Sequence, residues 1–346
     1  MHRETTILTY RREDRQTDRR CIASVDLAKF FFAVCIVFLH GHGLRRLPYL
    51  EYYFVTRFLF RLAVPFFFVS SGYFLRLSLE KGKSIKTYCF RLLKPLIVFE
   101  LLNTVMEEYA SIESGISLPN AIFDAVRHIL FYPYGAMWFL QACIIGSLLL
   151  YSFYRCKKMR IGLMIGVLLY GFALVCNNYY FLIADIPILQ NVIIGYMNLF
   201  ISARNGLFVG FLFLMLGYFA KDLQRCKKQI LLVLMLALTA IYILEIAMTY
   251  GKEYLDDGAL YLTHIALLPC MMALLLQIRV NINNQFSLLL RNLSTGIYML
   301  HRLLFVVLEG LISSNFLNCL VVIGLAVIIC LIVYRWKIEP LYSLLR

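Results

Sequence analysis

Three ionisable side chains, Asp26, Lys29 and His40, interrupt the apolar stretch IASVDLAKFFFAVCIVFLH, residues 22–40. A charged group inside hydrocarbon costs at least about 2–3 kcal/mol, so ionisable residues placed there point to function. On a helix turning about 100° per residue, Lys29 and His40 share one stripe and Asp26 falls about 40° from it. At a rise of about 1.5 Å per residue, Lys29 and His40 stand about 16 Å apart, as two stations along one channel. The bland alternatives stay open: Lys29 snorkelling to headgroups, and His40 as a hydrogen-bonded interhelical histidine. His40 and His42 resemble a chelate, but on a helix they point about 160° apart, so no metal site is expected.

A second set sits in "RLLKP", where Arg91 and Lys94 are at i, i+3 on one helix face. Paired cations at a membrane mouth suit a phosphate-bearing ligand, and equally suit anionic lipid headgroups. Between the two sets lies "RLAVPFFFVSSGYFLR", Arg61 to Arg76. Pro65, followed by Ser70, Ser71 and Gly72, predicts a kink with close approach or local unwinding beside a cavity. Further polar intrusions are Glu100, Arg204, Glu245, Tyr298, His301 and Arg302. Trp138 also reads as an interface anchor, and Gly206, Gly210 and Gly217 as packing positions.

The elements that must position these groups are membrane helices. Of the 346 residues, 61% are hydrophobic and only 16% charged, far from a soluble composition. Ten spans are expected, at about 24–44, 56–78, 88–106, 137–154, 160–176, 204–220, 229–249, 259–278, 288–311 and 315–335. The fold class is therefore an all-α polytopic membrane protein. Most basic residues fall in the amino-terminal tail and in alternate loops, which places both termini in the cytoplasm and the chain in the cytoplasmic membrane. The net charge of +14 is spent on that asymmetry, and nucleic-acid binding is not expected. No cleavable signal peptide is visible. The ten cysteines form no C-x-x-C pair and read as small apolar residues. The chain divides into a basic tail, 1–22, and one transmembrane domain, 23–346. Two long outer segments, 107–136 and 177–203, carry helix breakers and aromatics and either cap a cavity or lie in the interface.

Taken in order, "DLAKFFFAVCIVFLH", "VPFFFVSSGYFL", "RLLKP", "WFL", "ARNGLFVGFLFLMLGYF" and "STGIYMLH" resemble the acyltransferase-3 family of integral-membrane acyltransferases. The resemblance covers about residues 22–336. It implies transfer of an acyl group, usually acetyl from cytoplasmic acetyl-CoA, to a hydroxyl of an envelope carbohydrate. No permanently bound cofactor is implied. His40 takes the place of the general base. Lys29 stands where the family usually has Arg, and Arg91-Leu-Leu-Lys94 takes the place of the R-x-x-R element associated with the donor. Both changes keep the charge but lose a guanidinium fork. Ser71, Gly72 and Tyr73 match a further element near the donor. With Asp26 added from the shared stripe, the expected catalytic set is Asp26, Lys29 and His40, and Arg61, Trp138, Arg204, Tyr298 and His301 are pocket candidates. Acyl-CoA, an envelope sugar, glycolipid or peptidoglycan precursor and the bilayer are the expected partners. The stretch at 203–219 is also similar to the membrane domain of vancomycin-resistance serine racemases, a branch proposed to take up an amino acid. That keeps a serine transporter, or a polysaccharide export protein, as the alternative.

Overall fold

The computed structural model describes residues 22–345. The expected basic tail, 1–22, lies outside them except for Ile22. Helices make up the architecture, and no strand occurs among the described residues. In chain order they are α1 (Ala23–His40), α2 (Tyr49–Phe58), α3 (Ala63–Glu80), α4 (Ile85–Glu113), α5 (Leu118–Phe131), α6 (Trp138–Arg155) and α7 (Met159–Val175). There follow α8 (Pro187–Phe200), α9 (Phe211–Leu223), α10 (Lys228–Thr249), α11 (His264–Gln277), α12 (Asn284–Val307), α13 (Asn315–Trp336) and the short α14 (Leu341–Leu344). The expected spans overlap helical segments, the second being divided between α2 and α3. By length and composition, five helical stretches can cross a membrane: 23–40, 49–80, 206–223, 228–249 and 315–336. α7 and α11 are shorter apolar helices.

Local chemistry sets the helix ends. Ser84 caps α4 by accepting from the Lys86 amide, Asn283 caps α12 through the Gln285 amide, and Ser314 caps α13 through the Leu317 amide. Asn205 accepts from the Leu207 and Phe208 amides and so opens the wide turn Gly206–Gly210 that leads into α9. A side chain from another helix caps α11. The Glu245 carboxylate accepts from the Leu262 amide at 2.5 Å and from the Thr263 amide at 3.0 Å. That gives this intramembrane acid a structural occupation.

Two expectations change here. The first helix ends at His40 instead of continuing to 44, and His42 sits in the following turn with φ 49°, its Nδ1 bonded to the Tyr52 hydroxyl at 3.2 Å. The break in the second span lies at 59–62, a single 3-10 turn, and not at Ser70–Gly72. Pro65 occupies the first turn of α3, where a missing N–H leaves no helical bond unmade. α3 then runs unbroken through Ser70, Ser71 and Gly72.

The bundle centre is built on close helix crossings. α9 packs along α3, and α12 along α1. A Cβ on Gly72 would lie 2.1 Å from the Leu214 carbonyl oxygen, and one on Gly217 would lie 2.0 Å from that of Val69. The α3–α9 contact is therefore a reciprocal backbone approach that only glycine permits. The long segments 107–136 and 177–203 each hold a helix, α5 and α8, which meet through Phe131 and Phe200 with ring centroids 5.0 Å apart.

Candidate active site

α1, α3, α4, α6 and α12 enclose a cavity of about 590 Å³, with α14 at its edge. Lys29, Ser71, Arg91, Lys94 and Tyr298, named separately by the sequence, all line it, together with Thr87, Tyr88 and Arg291. This volume falls in the range of small-molecule sites, about 300–1,000 Å³. Arg91 and Lys94 are exposed at its mouth, and Lys29 is half-buried. The Lys29 ammonium lies 4.8 Å from the Phe74 ring centroid, and the Arg291 guanidinium 5.8 Å from the same ring. The face of one aromatic ring thus holds two cations beside the cavity.

Arg291 was not legible as a site residue. It stands at the end of RVNINNQFSLLLR, where it counts only as a basic loop residue. Asp26 recruits it across 265 positions: Nε meets Oδ1 at 2.9 Å and Nη2 meets Oδ2 at 3.0 Å, with Ser287 Oγ donating to Oδ2 at 2.6 Å. Asp26 is fully buried and does not line the cavity. It shares the stripe of Lys29 and His40, yet its carboxylate acts on Arg291. Gly72 and Tyr73 are likewise absent from the cavity wall. A helix turn of about 100° per residue carries them from the cavity face of α3 toward α9, where Gly72 meets Leu214 and the Tyr73 amide borders Gly217. Of the SGY stretch, only Ser71 reaches the cavity.

Away from Arg91 and Lys94 the cavity narrows to a ring of aromatics. Tyr298 has centroids 6.2 Å from Phe67 and 5.5 Å from Phe139, and its hydroxyl donates to the Ala136 carbonyl. Past Tyr298 stands His301, 6.0 Å away, and past His301 stands His40, 5.3 Å further. His301 is buried, whereas His40 is exposed to open space at the end of α1. The two stations inferred from the α1 stripe are therefore a cation-lined cavity and a histidine pair, separated by aromatic rings.

Beyond His40 the remaining pocket candidates form a clamp. Arg61 pairs with Asp257 at 2.5 Å, and Arg204 bonds Asp256 through Nε at 2.8 Å and Asp257 through Nη1 at 2.7 Å. Arg57 donates to the Asp257 and Gly258 carbonyls. Trp138 stacks on Tyr132 at 5.7 Å, and the Arg204 guanidinium covers both rings at 5.3 and 5.5 Å. Burial alone would raise the Asp257 carboxyl, but Arg204, Arg61 and Arg57 outweigh it and hold the acid well below the usual carboxylate range. Sequence reading found Arg61 and Arg204 but neither Arg57 nor the loop acids, because a loop DDG reads as solvated.

A family model described as acyltransferase domain matches residues 22–335. Among curated proteins, the chain is 27% identical to an amino-acid racemase of Enterococcus faecalis, over 90% of this chain and 46% of that one. A second amino-acid racemase of Enterococcus faecalis is 27% identical over 76% of this chain and 37% of its own length. A serine/alanine racemase of Enterococcus gallinarum is 28% identical over 60% and 30%. The chain thus spans less than half the length of these relatives. No solved structure matches it.

Proposed function

The chain belongs to the acyltransferase-domain family, and on that premise we propose that it is a membrane O-acyltransferase that takes its acyl group, acetyl by preference, from cytoplasmic acyl-CoA. The acceptor is a hydroxyl of a cell-envelope carbohydrate, glycolipid or peptidoglycan precursor. The gathering of basic residues in the amino-terminal tail and alternate loops supports both termini in the cytoplasm and the protein in the cytoplasmic membrane. Arg91 and Lys94 then stand at the cytoplasmic mouth and His40 on the outer side.

The observation that carries this reading is the cavity shared by Lys29, Ser71, Arg91, Lys94 and Arg291. Four cations around a volume of about 590 Å³ fit the phosphates of a coenzyme A donor. Arg291, its fork engaged by Asp26, adds a further positive charge to the cavity wall. The acyl end points through the aromatic ring toward His40. There His40 removes the proton of the acceptor hydroxyl, whose oxygen attacks the thioester carbonyl. The C–S bond breaks and the departing thiolate takes the proton back from His40. A water-poor path limits hydrolysis of the thioester. His40→Ala abolishes transfer from labelled acetyl-CoA while the protein still reaches the membrane; full transfer in that variant would sink the assignment.

Similarity to proteins named amino-acid racemase and serine/alanine racemase supports a second reading, passage of an amino acid such as serine through the same bundle. Uptake of labelled serine into proteoliposomes without acetyl-CoA would favour it.

A further inference from the structure

His301 is 1% exposed, and its Nδ1 lies 2.8 Å from the Tyr298 carbonyl and 3.2 Å from that of Ile297. Carbonyl oxygens only accept, so Nδ1 carries the proton and donates to them. Nε2 is then the lone-pair nitrogen of a neutral ring. That Nε2 is buried and has no partner among the described residues. A buried acceptor left unmet costs about 1–3 kcal/mol, so it calls for a donor.

Of the rings around His301, His40 lies at the shortest centroid distance, 5.3 Å with an interplanar angle of 39°, ahead of Tyr298 at 6.0 Å and Phe305 at 6.5 Å. Two imidazoles joined by an N–H···N bond of about 2.9 Å have centroids about 5 Å apart. The observed separation therefore suits an N–H···N bond between the two rings. The titratable neighbours of His40 are the neutral His301 ring and the cations Arg302, Arg61 and Arg204. The carboxylates of the neighbouring loop, Asp256 and Asp257, are already bound by Arg61 and Arg204. The lone pair of His301 is thus the acceptor placed to orient His40.

We propose that His301 is the positioning residue of His40. Its Nε2 accepts the His40 N–H and fixes the tautomer whose other nitrogen is unprotonated and faces the acceptor hydroxyl. The proposal rests on the acyltransferase reading above. During transfer His40 gains the hydroxyl proton and passes it to the departing thiolate, while His301 keeps its Nδ1 proton throughout.

The test compares His301→Gln with His301→Phe in the full-length protein, in membranes of the native cell, with radiolabelled acetyl-CoA as donor. The Phe variant keeps the packing and removes the acceptor. Its kcat falls by about 10²-fold while KM for acetyl-CoA stays within about twofold. The Gln variant places an oxygen acceptor at the Nε2 position and retains kcat within about tenfold of wild type. Membrane levels and melting temperatures of both variants separate folding loss from loss of chemistry. Wild-type kcat in the Phe variant, or equal losses in both, overturns the pairing. If wild type transfers label and His40→Ala does not, that failure touches the pairing alone. If wild type transfers none, the acyltransferase reading falls and takes the pairing with it.

Discussion

Replacing Asp26 by asparagine tests whether the acid serves Arg291 or the chemistry. Asp26 is fully buried and accepts at 2.6, 2.9 and 3.0 Å from Ser287 and two nitrogens of Arg291. The amide keeps the shape, removes the charge and turns one acceptor into a donor aimed at another donor. Removing one partner of a buried pair costs about 3–5 kcal/mol, because the remaining charge loses its compensation. The Arg291 side chain stays 17% exposed, so water in the cavity screens part of the loss and the lower end, about 3 kcal/mol, applies. At about 2–4 °C per kcal/mol for a large domain, the detergent-solubilised protein melts about 6–12 °C lower. Asp26→Leu combined with Arg291→Met removes both charges and recovers most of that loss, since an apolar replacement of a buried pair is often neutral. Affinity for acetyl-CoA, by contrast, stays weak in the double variant because Arg291 is gone. Thermal melts of wild type, Asp26→Leu, Arg291→Met and the double variant, with titration of acetyl-CoA, provide the whole cycle. A drop under about 2 °C in Asp26→Asn, or a double variant no more stable than the single, refutes the reasoning.

Other outcomes follow from the same geometry. Arg91→Ala and Lys94→Ala each weaken acetyl-CoA binding by about tenfold, the value of one charge-assisted contact of about 1.5 kcal/mol, as read by isothermal calorimetry in detergent; unchanged affinity in both removes the donor from this cavity. Gly217→Ala places a Cβ 2.0 Å from the Val69 carbonyl oxygen and lowers stability by about 1–3 kcal/mol through overpacking. Gly171→Ala, with nothing within 4 Å, is the harmless control in the same melt. The depressed Asp257 adds stability that is fully present above its unfolded value of about 3.9 and fades as pH falls through the lower folded value. The melting difference between wild type and Asp257→Asn is therefore constant from neutral pH to about 5 and shrinks below about 4; a difference that grows on acidification contradicts the clamp.

The helices were readable because each apolar run carries its own signal, and the stripe on α1 was readable because helical periodicity is local. Arg91 and Lys94 were readable as paired cations on one helix face and Ser71 as part of a small-residue stretch, and they meet in one cavity. What stayed hidden depends on partners far away in sequence. Arg291 becomes a cavity residue only through Asp26, and the loop acids at 256 and 257 acquire meaning only through Arg61 and Arg204. The helix break at 59–62 carries no proline or glycine to announce it. Pro65, which seemed to mark a kink, sits where a helix start tolerates it. Helical phase also misled: Asp26 sits on the right stripe, yet its side chain turns to α12.

Phe67, Phe139 and Tyr298 close the cavity toward the histidines with rings 5.5–6.2 Å from centroid to centroid. In electrical terms this ring is an insulator between two polar compartments. Across an energised membrane, moving one elementary charge through the full potential involves about 2.3 kcal/mol per 100 mV. On the proposed reading, the coenzyme phosphates stay with their cations on one side of the ring, and only the neutral thioester end enters it. The acyl group then changes sides without carrying charge through the field. The reaction would run at the same rate in a polarised and a depolarised cell, and the bundle would pass the acyl group without short-circuiting the membrane.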